Sequence, residues 1–252
     1  MKVYTLQNFL AYQYPQRRML VGNGLLPAQQ VMFIYGEYST WKSWLAQELA
    51  YSVSKGIPWL CWETQRANVL IINSEISEGE YQLRWQTFVS NRNITPESNS
   101  LYVDSSLDIK LDLTQAIDEL KKVILLHTIQ LVIIDNLYSS TLGNISRNDD
   151  VNVVIANIKM LSSTTGAAFV IVHHARQGQI TIQGEQVKQR GYEMFGSSFL
   201  TNWADTILEV SNVDSDKDVI EVRPQKHRLC RFAPINTYYR FNRSKTQFDI
   251  YV

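Results

Sequence analysis

Cysteine is nearly missing from this sequence: Cys61 and Cys230 are the only two in 252 residues. Two thiols make neither a disulfide framework nor a zinc site, so packing is their ordinary role and a reducing cytoplasm is the expected setting. A charge excess is missing too, since 24 Lys and Arg balance 24 Asp and Glu. That excludes a protein that coats nucleic acid by charge alone, while leaving room for a local basic loop. No apolar run approaches the ~18 residues a membrane helix needs. The N-terminal stretch MKVYTLQNFLAYQYPQRR lacks the continuous apolar core and small-residue cleavage site of a secretory signal. There is no internal repeat, no low-complexity tract and no evident linker. With 45% hydrophobic residues the chain can bury a sizeable core. A single α/β domain over residues 31–252 is expected, after a lead-in segment over residues 1–30.

What the sequence does have is VMFIYGEYSTWKSWLAQELA at residues 31–50. An apolar run of strand length ends in Gly36. A short polar loop, Lys42 and Ser43, and a helical pattern follow, with Trp44, Leu45, Leu49 and Val53 at helical spacing. Strand, phosphate loop and helix form the layout of a nucleoside-triphosphate site. Loop amides and a helix N-terminus would face the phosphates across Gly36, Glu37, Ser39, Thr40 and Trp41. Lys42 would reach the β- and γ-phosphates, and the Ser43 hydroxyl would sit on Mg2+. The usual pattern has Gly immediately before the Lys, where this chain has Trp41. Trp is compatible with binding only if its φ and ψ are allowed and its ring points away from the phosphates.

Further apolar strands are predicted at 69–73 (VLIIN), 101–103, 131–134 and 168–172. Helices are predicted at 42–53, 78–91, 114–126 and 151–164. Later strands are expected at 206–210, 219–222, 237–241 and 248–251, partly antiparallel. Strand–helix repeats with continuous apolar strands mean a mostly parallel sheet covered by helices on both faces. In such sheets ligands sit beyond the C-terminal strand ends. The Gly36–Ser43 loop, Glu75, Asp135 and the pair His173/His174 all fall there. Asp135 could hold the Mg2+ shell through water, Glu75 could deprotonate an attacking water, and one of the two histidines could contact the γ-phosphate. Each residue alone fits a cap, a solvated loop or a packed imidazole equally well. The argument lies in their convergence.

In this order the fragments resemble the RecA-like P-loop ATPases of the RepA/DnaB-type hexameric replicative helicases, most of all the plasmid RepA-like branch. LVGNGLLPAQQVMFIYGEYSTWKSWLAQELA is similar to that branch's first strand and phosphate loop (Walker A). GIPWLCWETQRANVLIINSE is similar to the segment leading to its catalytic Glu, and LVIIDNLYSS to its Walker B strand. NDDVNVVIANIKMLSSTTGAAFVIVHHARQ, RGYEMFGSSFLTNWADTILEV and KHR match later elements. The resemblance implies that Lys42 and Ser43 bind the phosphates and Mg2+. It makes Glu75 the general base, Asp135 the Walker B carboxylate, and His174 or His173 the γ-phosphate sensor. Lys226 and Arg228 would be fingers reaching a neighbouring subunit's ATP. The loops at 136–150 and 175–198 would face single-stranded nucleic acid, the second through Arg176, Lys188 and Arg190.

The expected function is therefore an ATP-hydrolysing ring motor on single-stranded DNA, a helicase that the resemblance makes hexameric, with replication or loader proteins as its expected partners. A regulatory ATP-binding switch that hydrolyses slowly and recruits a partner is the alternative, favoured by Trp41. A strand-exchange filament is a third reading.

Overall fold

Six strands run side by side and parallel in a computed structural model that describes residues 2–14, 16–22, 24–96, 100–175, 198–213, 216–228 and 236–251. They are β3 (Val31–Gly36), β4 (Val69–Asn73), β5 (Leu101–Asp104), β6 (Leu131–Asp135), β7 (Ala168–His174) and β8 (Thr206–Val213). Ahead of them, β1 (Met19–Val21) and β2 (Leu26–Pro27) form a small antiparallel ribbon. Three antiparallel strands extend the sheet: β9 (Asp216–His227), β10 (Thr237–Asn242) and β11 (Gln247–Ile250). The order among the described residues is β11-β10-β9-β8-β3-β7-β6-β4-β5. This is the mostly parallel α/β sheet with antiparallel C-terminal strands that the apolar pattern predicts.

The helices are α1 (Leu6–Ala11), α2 (Lys42–Lys55), α3 (Glu78–Asn91), α4 (Thr114–Leu126), α5 (Asn148–Thr165) and α6 (Ser198–Trp203). Successive strand residues point to opposite faces, and the two halves of the core follow that rule. Met32, Ile34, Ile71, Ile133, Val170 and Val172 pack with Leu45, Leu49 and Val53 of α2. Phe33, Ile72, Ile134, Phe169 and Ile171 pack with Ile117, Leu120, Val154 and Ile158 of α4 and α5 on the other face. The strands read as unbroken apolar runs because both faces are covered.

The elements depart from expectation most at α2, α5 and β9 and at two short helices. Helix α2 runs to Lys55 and stops where Gly56 takes a left-handed φ of 71°, a conformation that favours Gly. Helix α5 starts at Asn148 instead of 151, with Asp149 and Asp150 in its first turn, where acidic side chains complement the helix dipole. Strand β9 is much longer than its apolar centre, because its polar ends pair along β8 through two register shifts. Helices α1 and α6 carry no apolar periodicity long enough to reveal them; α1 buries none of its residues.

Candidate nucleotide site

Period-two geometry places the site. On β6, Leu131 and Ile133 face α2, so Asp135 faces it too. On β7, Ala168, Val170 and Val172 face α2, which puts His174 on the same side and His173 on the other. His173 is fully buried, edge-on to Phe33 with ring centroids 6.4 Å apart. His174 instead stacks on Tyr38 of the loop at 4.4 Å and lies 4.0 Å from the Glu75 carboxylate. The Asn136 amide contacts its Nε2 at 3.1 Å. The structure thus places His174 at the rim and His173 in the core.

Gly36 ends β3 where no side chain fits. A Cβ there would stand 2.0 Å from the Val210 carbonyl oxygen of β8. The loop beyond it exposes Glu37 and Ser39 and buries Thr40. The Thr40 hydroxyl donates to the Glu37 carbonyl at 2.9 Å and accepts from the Lys42 ammonium at 3.2 Å. Lys42 also donates to the Glu37 carbonyl at 2.5 Å, so its charge is held inside the loop. Helix α2 begins without a side-chain cap, whereas α3 closes its own with the reciprocal Ser77–Glu80 capping box. The first-turn amides of an α-helix have no acceptor within the helix. An uncapped N-terminus beside a buried ammonium is a site for an anion.

Electrostatics tie the rim together. Burial lowers the Lys42 pKa to about 8, against the opposing pull of Asp135, Glu75 and Glu37 in that order. Burial raises Asp135 to about 6; its hydrogen bond with Ser43 opposes this, the Glu75 charge adds to it, and Arg84 and Lys42 oppose it. His174 lies below its ordinary value, through burial first and Lys42 second, against the pull of Glu75, so the imidazole is neutral at pH 7. Asp135 Oδ1 is buried with no hydrogen-bond partner. A carboxylate oxygen left unsatisfied beside a serine hydroxyl suits a hydrated Mg2+, an oxygen-seeking ion that keeps most of its waters. The residues present therefore fit the metal: Ser43 and Asp135 would hold it.

Trp41 takes φ 62° and ψ 13° at the N-cap of α2, the left-handed conformation that Gly usually supplies. That conformation costs a residue with a side chain roughly 1–2 kcal/mol. The ring leaves the loop and stacks on Phe241 of β10, centroids 4.1 Å apart and planes 26° apart. The Arg243 guanidinium lies 4.9 Å from its centroid, and its Nε1 donates to the Lys217 carbonyl at 2.8 Å. Stacking, cation–π and hydrogen-bond contacts of this kind are each worth about 0.5–1.5 kcal/mol, enough together to offset the strain.

Lys226 and Arg228 lie elsewhere. Through β8, Lys226 lies level with Phe33 and His227 with Met32, so Lys226 sits roughly 10 Å of strand from Gly36, at ~3.3 Å per residue, and Arg228 farther toward the start of β3. Lys226 donates to the carbonyls of Thr201 and Asn202, each at 2.8 Å. Arg228 pairs with Asp205 at 3.3 Å while its side chain stays 51% exposed. Arg176, Lys188 and Arg190 lie outside the described residues.

Three neighbours of the site carry no motif. Tyr38 and Asn136 flank His174, and Arg84 lies over the Trp44 and Tyr81 rings at 5.6 and 5.9 Å with its charge acting on Asp135. Only Asn136 had a signal, its place directly after the strand-end Asp.

Residues 4–179 match the family model described as AAA domain. The fold is similar to the crystal structure of the RadB recombinase, with a TM-score of 0.59 and 14% identity over 86% of this chain and 90% of that one. No curated protein matches the sequence. The family match spans most of the chain: the chain belongs to the AAA domain family and has the fold of a RecA-like P-loop ATPase.

Proposed function

We propose that this protein is an ATP-hydrolysing motor that acts as a ring oligomer on single-stranded DNA, of the replicative-helicase type. The observation that carries the reading is the meeting of Lys42, Glu75, Asp135 and His174 at one strand-end rim, where their charges act on one another. The α2 N-terminus and Lys42 bind the β- and γ-phosphates. Ser43 and Asp135 would hold Mg2+, which would neutralise charge on the phosphate oxygens. Glu75, the exposed carboxylate of the rim, takes the proton of the attacking water. The water oxygen bonds to the γ-phosphorus as the bond to the β,γ-bridging oxygen breaks, and ADP and inorganic phosphate leave. His174, neutral and hydrogen-bonded to Asn136, contacts the γ-phosphate and passes its loss to the chain that follows β7.

Oligomerisation is supported by the position of Lys226 and Arg228. Their side chains turn to Thr201, Asn202 and Asp205 and not to the strand ends of their own chain, so a role in catalysis would call for a second copy. A trans Arg of this kind is worth roughly 10³–10⁵ in rate. Arg176, Lys188 and Arg190 contact the DNA in this reading, and the cytoplasm is its compartment. The fold neighbour is by name a recombinase, and recombination, like helicase action, is work on DNA.

A second reading, a slow ATP-dependent switch that recruits a partner, is favoured by Trp41 in the place of a loop glycine. ATPase turnover measured against single-stranded DNA concentration separates the two, with particle imaging of the same sample. DNA-stimulated turnover in closed rings supports the motor; DNA-independent turnover near zero supports the switch; open helices point to a filament.

A further inference from the structure

The C-terminal strands lie outside the phosphate loop, yet they hold one of its two left-handed residues. Trp41 is the N-cap of α2 and takes the left-handed conformation there, with Ser39 at a φ of 61° two residues earlier. The Trp41 ring spans from the loop to β10 and stacks on Phe241. Phe241 in turn touches Trp44 of α2, centroids 5.4 Å apart, and Phe248 of β11 at 5.1 Å. Arg243, over the Trp41 ring, is fixed by a two-pronged pair with Asp218 at 2.9 and 2.7 Å. The indole N–H is fixed on the Lys217 carbonyl of β9. One aromatic side chain at the nucleotide loop is thus gripped by β9 and β10, the latter braced by β11.

We propose that Phe241 is a positioning residue for the nucleotide: by stacking on Trp41 it keeps the loop in its phosphate-binding conformation, so the C-terminal hairpin sets ATP affinity from outside the site. The physical reason is compensation. A glycine at position 41 would adopt the left-handed backbone without help. A tryptophan holds it only while its ring contacts persist, and loss of the stack lets the backbone relax away from the arrangement that aims the α2 amides at the phosphates. The hairpin matters because the tryptophan is there, and this coupling is absent where a loop carries glycine.

This inference rests on the proposal that the loop binds ATP, and the test keeps the two apart. ATP affinity, by equilibrium dialysis with radiolabelled ATP and Mg2+, is measured for the full chain, Lys42→Ala, Phe241→Leu, Phe241→Tyr, Trp41→Gly and the double variant Trp41→Gly/Phe241→Leu. Folded fraction is read by circular dichroism on each sample. Phe241→Leu keeps apolar volume and loses the stack, and is expected to weaken ATP binding about tenfold, while Phe241→Tyr restores the affinity. In the Trp41→Gly background the same Phe241→Leu change is expected to alter affinity less than about twofold. A loss of similar size in both backgrounds would mean Phe241 acts through general stability and overturns the inference. So would unchanged affinity in Phe241→Leu. Absence of Lys42-dependent binding in the unmodified chain overturns the ATP reading and this inference with it.

Discussion

The Ser43 hydroxyl holds the Asp135 carboxyl down against the upward push of burial, and Asp135 Oδ1 is buried without a partner. Without a metal that arrangement is unfavourable, and burial accounts for the raised pKa of about 6. Because the folded-state value lies above the ordinary value of 3.8, ionising Asp135 opposes folding. The stability loss develops as pH rises from about 4 to about 6 and is complete above it. Asp135→Asn is therefore expected to raise the stability of the nucleotide-free protein at pH 7, by about 1–3 kcal/mol. The same change should abolish the Mg2+ dependence of ATP binding. Thermal unfolding with and without Mg2+ and ATP reads both effects. A variant less stable than the parent, or still Mg2+-dependent, removes the metal role.

The pH profile of kcat/KM for ATP should be bell-shaped. On the acid side, protonation of Asp135 below about 6 removes the charge that holds the metal. On the basic side, Lys42 loses its proton above about 8 and with it the attraction for phosphate. Lys42→Arg, which cannot lose its charge in this range, is expected to remove the basic limb even at reduced overall rate. A profile flat from pH 7 to 9.5 in the unmodified protein would remove Lys42 from the phosphates.

Gly36→Ala should be severe for a reason unrelated to nucleotide. A Cβ at 2.0 Å from the Val210 carbonyl oxygen meets backbone on a central strand, so either β3 or β8 must shift. The expected loss exceeds about 2 kcal/mol, a fall in Tm of at least ~4 °C for a chain of this size. Denaturant unfolding of the variant checks it, and stability equal to the parent would contradict the close β3–β8 approach.

Arg228→Ala is expected to leave ATP binding and stability nearly unchanged, because its pair with Asp205 is half-exposed and such pairs contribute about 0–1 kcal/mol. Turnover should fall by roughly 10³ if the guanidinium completes a neighbour's site. Mixing Arg228→Ala with the Lys42→Ala variant should restore part of the rate, since mixed rings contain intact composite sites. No recovery on mixing, or full activity in Arg228→Ala alone, argues against a shared site.

The parallel sheet was legible in the sequence because strands covered on both faces must be apolar throughout. VLIIN, LVIID and AFVIV announce themselves, and their polar ends mark the ligand rim. The same alternation that buries Ile133 assigns Asp135 to the α2 face, and carried along β7 it separates His174 from His173. The sequence alone could not show where the Trp41 ring goes. Its partners, Lys217, Phe241 and Arg243, lie about 200 residues away in sequence, and no local period connects them. Strand β9 was underestimated for a related reason. Its polar residues pair with those of the neighbouring strand, as Arg223 does with Glu209 of β8 at 3.0 Å, and this makes a strand without an apolar signature.

The most direct measurement is the affinity of ATP with Mg2+ for the intact chain and for Lys42→Ala. A buried ammonium that meets phosphate oxygens should be worth about 1.5–3 kcal/mol as a charged hydrogen bond, so the variant should bind at least about tenfold more weakly with its fold unchanged. Equal affinity in the two proteins, or no ATP binding by the intact chain, would contradict the assignment of this loop as a triphosphate site.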